Sequence, residues 1–168
     1  MTSNTERLKA GFLKAGDNTG AAMQRLGAHI QRMENLFLTS PEEELLKKPA
    51  PGKWSKLEIL GHLVDSAINN IRRFTEIQFS AQPYTIVAYQ QDALVSANHY
   101  QMLPIKHVLG LWKMLNQQII FLVGKIPTEK LGYLVRTQPG SHELKSLEWL
   151  IEDYVAHLEH HLQQIEAK

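Results

Sequence analysis

Ser146-Leu-Glu-Trp-Leu-Ile-Glu-Asp-Tyr-Val-Ala-His-Leu-Glu-His-His-Leu-Gln-Gln-Ile165 places apolar side chains at Leu147, Ile151, Tyr154, Leu158 and Ile165, three, four or seven residues apart, and His161 fills the slot between the last two. This is the period of one face of a helix, and the stripe extends back to Leu144. Three earlier stretches share the period. The first runs Met23, Leu26, Ile30, Met33, Phe37; the second Leu57, Leu60, Val64, Ala67, Ile71, Phe74; the third Ile105, Val108, Trp112, Leu115, Ile119, Leu122, Ile126. Four stripes of this length predict an all-α fold, a four-helix bundle. With 168 residues, 43% of them hydrophobic, residues 1–168 suit a single domain with one core.

The connections are punctuated by Pro49, Pro51 and Gly52 after the first stripe, and by Pro127, Pro139 and Gly140 after the third. Ser80 to Leu103 forms a long connection between the second and third helices. A stretch of that length without structure is unusual in a compact domain, so a short helix is expected near Gln90 to Ala97. Val135 to Gly140 is expected to be loop, and the region before Gly16 a helical turn or an extension of the first helix. Pro104 suits the start of the third helix. The second helix has the clearest start: Ser55 and Glu58 make a Ser-x-x-Glu capping box, with Trp54 and Ile59 placed as a hydrophobic staple.

Eighteen Lys plus Arg against 17 Asp plus Glu leave a formal charge of +1, too balanced to favour a phosphate backbone or an anionic membrane. No basic stripe or nucleic-acid motif occurs, so no nucleic-acid partner is expected. There is no apolar run long enough to span a membrane and no secretory pattern in the first 17 residues, which points to a cytoplasmic protein. The absence of cysteine removes disulfides and thiolate chemistry and leaves histidine and carboxylate as metal ligands. No Gly-x-Ser-x-Gly elbow or phosphate-cradling glycine loop is present, which disfavours serine hydrolases and nucleotide enzymes.

Eight histidines remain to be explained. His157 and His161, four apart, project from one helix face in the geometry that grips a metal, although such a pair also arises by chance and a buried histidine is commonly structural. An imidazole in the core needs a partner for each nitrogen, and His161 sits on the apolar stripe. His157 and His161 are therefore read as ligands, and His160 as a solvated or supporting residue. A third ligand should come from another helix. His62 is the candidate, yet periodicity sets it opposite the Leu57 to Phe74 stripe, on a face shared with Glu58, Asp65, Asn69 and Arg73. That face reads either as solvated or as the lining of a polar cleft.

The run Pro51-Gly-Lys-Trp-Ser-Lys-Leu-Glu-Ile-Leu-Gly-His-Leu-Val-Asp-Ser66, the Ser146 to Ile165 segment and the Trp112 to Asn116 stretch together resemble the DinB-like superfamily, in particular its YfiT-like members. The resemblance covers nearly the whole chain. It implies a four-helix bundle holding one divalent transition metal, with His62, His157 and His161 as the three ligands. Three neutral imidazoles leave coordination positions open, as in catalytic sites, and suit zinc, nickel, iron or manganese alike. The function so implied is a metal-dependent hydrolase, or a transferase that activates a low-molecular-weight thiol, acting on a small-molecule substrate. A non-catalytic metal- or ligand-binding helical module is the alternative, and a purely structural domain is a third.

Other residues carry weaker expectations. Asn116 reads as a supporting donor or a buried polar residue that fixes register, and Tyr154 as core with a second possibility of donating to substrate. Asp65 and Asn69 read equally as residues that orient His62 through its other nitrogen or as part of a solvated face. His29, His99, His107 and His142 have no partner in the sequence. Apolar surplus on the helix faces suggests a homodimer.

Overall fold

The computed structural model describes residues 17–167, and the expected helical turn before Gly16 lies outside them. Helices run α1 Asp17–Thr39, α2 Glu42–Leu46, α3 Lys56–Glu76, α4 Gln91–Ala97, α5 Ile105–Val123 and α6 Leu147–Ala167. The long helices α1, α3, α5 and α6 are the four predicted from periodicity. α1 and α3 each pack against both α5 and α6, so α1 and α3 lie across one diagonal of the bundle and α5 and α6 across the other, while α3 and α5 are neighbours. Arg25 pairs with Glu152 and Glu159 while Arg32 pairs with Glu166, so α1 and α6 run in the same direction. α3 runs opposite to α6, with His62 beside His157 and Phe74 beside Tyr154.

The core takes the predicted stripes almost whole. Met23, Leu26, Met33, Leu57, Leu60, Val64, Trp112, Ile119, Ile151, Leu158 and Ile165 are all essentially excluded from solvent. Two polar residues sit among them: Tyr154 donates its hydroxyl to Asn116 Oδ1 at 2.6 Å, and Asn116 Nδ2 donates to the Trp112 carbonyl at 2.8 Å. Tyr154 thus serves the core and Asn116 ties α5 to α6. The hydroxyl that was a second possibility for substrate is spent on this bond.

The Ser80 to Leu103 connection contains α4, as expected, followed by a 3-10 turn at Tyr100–Met102. His99 opens that turn in the left-handed region, with φ 51°. Between Gln82 and Pro83 the peptide is cis.

Val135, expected in a loop, is instead fully buried at the centre of a small sheet. β2 Leu134–Arg136 pairs in parallel with β1 Tyr84–Thr85 and antiparallel with β3 Leu144–Ser146. Strands of two and three residues are too short to show a period, which is why the sequence did not disclose them. Leu144 belongs to β3 and not to the last helix. β3 leads straight into α6, whose first N–H groups lack intrahelical acceptors. Leu147 donates to the Tyr133 carbonyl at 2.9 Å, Glu148 to Leu131 at 3.0 Å and Trp149 to Ser146 Oγ at 3.1 Å. The sheet and the turn that leads into β2 therefore fix where α6 begins, and with it the register of the histidines.

The capping box of α3 is formed as predicted: Ser55 Oγ accepts from the Glu58 N–H at 3.1 Å and Glu58 Oε2 accepts from the Ser55 N–H at 2.9 Å. Glu58 is completed by Lys48 Nζ at 2.7 Å, which makes it a cap and not a site residue. Ser55 also donates to Gln101 Oε1 at 2.6 Å, joining the helix start to the 3-10 turn. One turn further on, Tyr100 lies flat on the backbone of Gly61. A Cβ at Gly61 would fall 2.2 Å from both Cγ and Cδ2 of that ring.

In an open helix Gly→Ala gains up to about 1 kcal/mol from propensity, whereas overpacking costs about 1–3 kcal/mol. At Gly61 the clash is with a buried ring, so Gly61→Ala is expected to lower stability by urea denaturation and to displace Tyr100. An unchanged or raised midpoint would show that Tyr100 is not held as described.

Candidate metal centre

His62 rises from the second turn of α3, and His157 and His161 from successive turns of α6. The structure brings all three rings together. His62 Nε2 and His161 Nε2 lie 3.3 and 3.1 Å from His157 Nε2, and one ligand atom from each ring lies within 4.8 Å of the others. The rings meet edge to face, with centroids 4.6 to 5.2 Å apart.

His62 is fully buried, which corrects the solvated-face alternative drawn from periodicity. An apolar stripe along one side of α3 leaves the other side for water only where nothing else packs on it. Here α2, α4 and the Tyr100–Met102 turn cover the side away from the bundle, so the helix is buried all round from Lys56 to Ala67. Asp65 and Asn69 do not orient His62. Asp65 Oδ1 accepts from the Tyr100 hydroxyl at 2.7 Å and from Asn98 Nδ2 at 2.9 Å, and Asn69 Nδ2 donates to the Asp65 carbonyl at 2.8 Å. Burial raises the pKa of Asp65, opposed by those hydrogen bonds. Trp54, expected only as a staple, also rests against the His62 ring, centroids 5.1 Å apart. Among the described residues His62 Nδ1 has no hydrogen-bond partner.

The orienting residue on α6 is Gln164. Its Oε1 accepts from His161 Nδ1 at 2.9 Å, and its Nε2 donates to the exposed His160 Nε2 at 2.9 Å. A proton held on His161 Nδ1 leaves the lone pair on Nε2, aimed at the cluster. The signal was present in sequence, since Gln164 stands three residues after His161 and four after His160, both neighbouring positions on a helix. His29, left without a partner by sequence reasoning, meets Glu159 at 2.9 Å on the α1 side of α6.

Burial, aided by the charges of His161 and His157, lowers the pKa of His62 to about 3, and burial followed by His160 lowers that of His157. His62 and His157 are thus held neutral, the form that ligates metal. Both short contacts use the same His157 nitrogen, and a single N–H there cannot serve both lone pairs well. A cation between the three Nε2 atoms would satisfy all of them, so the donor set fits a divalent transition metal. Two clefts reach the cluster. One of about 240 Å³ has His157 in its wall, and one of about 630 Å³ has Trp54, His161 and Gln164.

The chain matches the family model of the DinB superfamily over residues 25–165 and belongs to that family of helical proteins. Among solved structures it is similar to YfiT from Bacillus subtilis, described as a probable metal-dependent hydrolase with an unusual four-helix bundle topology. The TM-score is 0.78 at 19% identity, covering 89% of this chain and 84% of that one. At that identity the likeness shows the fold. No curated protein matches. Among the described residues no helix is long and apolar enough to cross a membrane.

A histidine buried neutral must gain a proton on unfolding once the pH is below the ordinary value of about 6.5. The unfolded state then binds more protons, so metal-free stability is retained above about 6.5 and lost as pH falls toward about 3, the folded value for His62. The loss should be smaller in His62→Leu, as read from denaturation midpoints across that range. Parallel pH profiles for the two proteins would contradict the buried neutral ring.

Proposed function

We propose that the protein is a metal-dependent enzyme in which His62, His157 and His161 hold one divalent transition metal, zinc, nickel, iron or manganese. The observation that carries this is the convergence of three imidazole nitrogens at one point, with clefts opening beside it. A metal held by these residues would supply Lewis acidity, which would lower the pKa of water or a thiol enough to give a nucleophile at neutral pH. The residues of the chain do the positioning. His62 is fixed by burial and by Trp54, His161 by Gln164, and the Asn116–Tyr154 bond holds α6 to α5 one turn from His157.

The reaction class is hydrolysis, or transfer of a low-molecular-weight thiol to an electrophilic small molecule. Hydrolysis is favoured by the likeness to YfiT, which is itself described as a metal-dependent hydrolase of probable standing. The chain has no cysteine, and Glu58 and Asp65 are engaged in the helix cap and with Tyr100. Among the described residues no side chain at the cluster is poised as a nucleophile, so no covalent intermediate on the chain is expected.

Elemental analysis of untagged protein should find about one transition metal per chain, the stoichiometry of a single three-histidine site. His161→Ala should abolish uptake and His160→Ala should not, while Gln164→Ala should weaken affinity about 10- to 100-fold. Full occupancy in His161→Ala would refute the ligand set. Turnover of a hydrolysable ester or amide, or of a thiol with an electrophile, should vanish on chelation and return with metal. Activity that persists without metal, or a covalently modified side chain during turnover, would refute the mechanism.

A further inference from the structure

The smaller cleft runs between α3 and α6 and is walled by Ser66, Asn70, Arg73, Tyr89, Asp153 and His157 among others. Two of these are charged, with opposite signs, and they influence one another across the cleft without forming an ion pair. The Arg73 guanidinium spends one N–H on the Val87 carbonyl at 3.1 Å and lies 5.6 Å from the centre of the Tyr89 ring. Its other donors have no acceptor among the described residues. Asp153 accepts no hydrogen bond there at all. Burial opposes the charge on each, lowering the pKa of Arg73 and raising that of Asp153. Arg73 is half-buried and Asp153 exposed at the cleft wall, and two charges of opposite sign, each with hydrogen-bonding capacity to spare, fit a ligand that carries both signs.

The axial spacing sets the order of its groups. Asp153 and His157 are one turn apart on α6, about 6 Å, whereas Arg73 lies eleven residues from His62 on α3, about 16 Å. The cleft volume of about 240 Å³ falls below the range of whole-ligand pockets, about 300–1,000 Å³, and suits a head group.

We propose that this cleft is a subsite for an α-amino-acid head group of the substrate, its carboxylate on Arg73, its ammonium on Asp153 and its side chain extending toward His157. That the ligand is a substrate rests on the metal-centre proposal; that the cleft binds it does not. The substrate class is then an amino acid or a small conjugate with a free amino-acid end.

Binding is tested on the full chain after chelation, so that the amino and carboxyl groups of the probe cannot report on metal. L-norvaline, valerate and butylamine are titrated by calorimetry or NMR. L-norvaline should bind, with valerate and butylamine each at least about tenfold weaker, as expected for a lost charge-assisted hydrogen bond. Arg73→Gln should erase the preference for norvaline over butylamine, and Asp153→Asn the preference over valerate, with Arg73→Lys intermediate. No binding of norvaline to the wild type, equal binding of the three probes, or preferences unchanged in the variants would overturn the proposal. Metal uptake is measured on the same proteins. Wild type that takes up no metal yet discriminates the probes refutes the metal centre and leaves the subsite standing, and the reverse result refutes the subsite alone.

Discussion

Ser55 to Ala67, the cap and first three turns of α3, leave no residue exposed to water, and the rest of the molecule is arranged around that constraint. A helix buried on every side must find a partner inside the protein for each polar group it carries. Ser55 finds Gln101, Lys56 finds Glu44, Glu58 finds Lys48 and the helix start, and Asp65 finds Tyr100 and Asn98 through one oxygen. Those partners come from α2, α4 and the segments around them, so the short elements covering α3 are specified by its polar residues as much as by its apolar ones. His62 is the member of the series whose ring nitrogen is directed at other histidines. The constraint also explains the glycine before it, since a ring can be laid on the helix backbone only where there is no side chain.

Much of this was legible in the sequence. The four long helices follow from apolar periods that the core accepts, from Met23 to Phe37 and from Leu147 to Ile165, and the capping box located the start of α3. The juxtaposition of His157 and His161 follows from a spacing of four on a helix. His62 was legible only through family resemblance, because its neighbours on the helical wheel are polar and a wheel cannot register cover supplied by segments 16 to 40 residues away. The same limit hid Gly61 against Tyr100, the bond between Asp65 and Tyr100, and the three strands. All depend on tertiary neighbours, and the strands are shorter than any period that could announce them.

α6 carries two kinds of chemistry on two flanks. Toward α1 it presents Glu152, Glu159 and Glu166 to Arg25, His29 and Arg32, a partly exposed ionic ladder. Pairs of this exposure contribute little individually, but they are directional and hold two parallel helices in register. Toward α3 it presents His157 and His161, and burial opposes charge on His157. Nearby, Arg73 and Asp153 share the cleft without a bond between them, so the groove keeps both signs available at no net charge.

The origin of the cluster in two helices has a consequence for how it can be dismantled. His62 and His157 stand 95 residues apart in the chain, and their meeting is held by the docking of one terminal helix, anchored by its first-turn N–H groups and its buried Leu158, Leu162 and Ile165. Partial detachment of α6 would separate the nitrogens while α1, α3 and α5 remained packed. A cation shared by the three rings would act as a clasp across those 95 residues, so its exchange with solvent would be governed by the opening rate of the last helix and not by global unfolding.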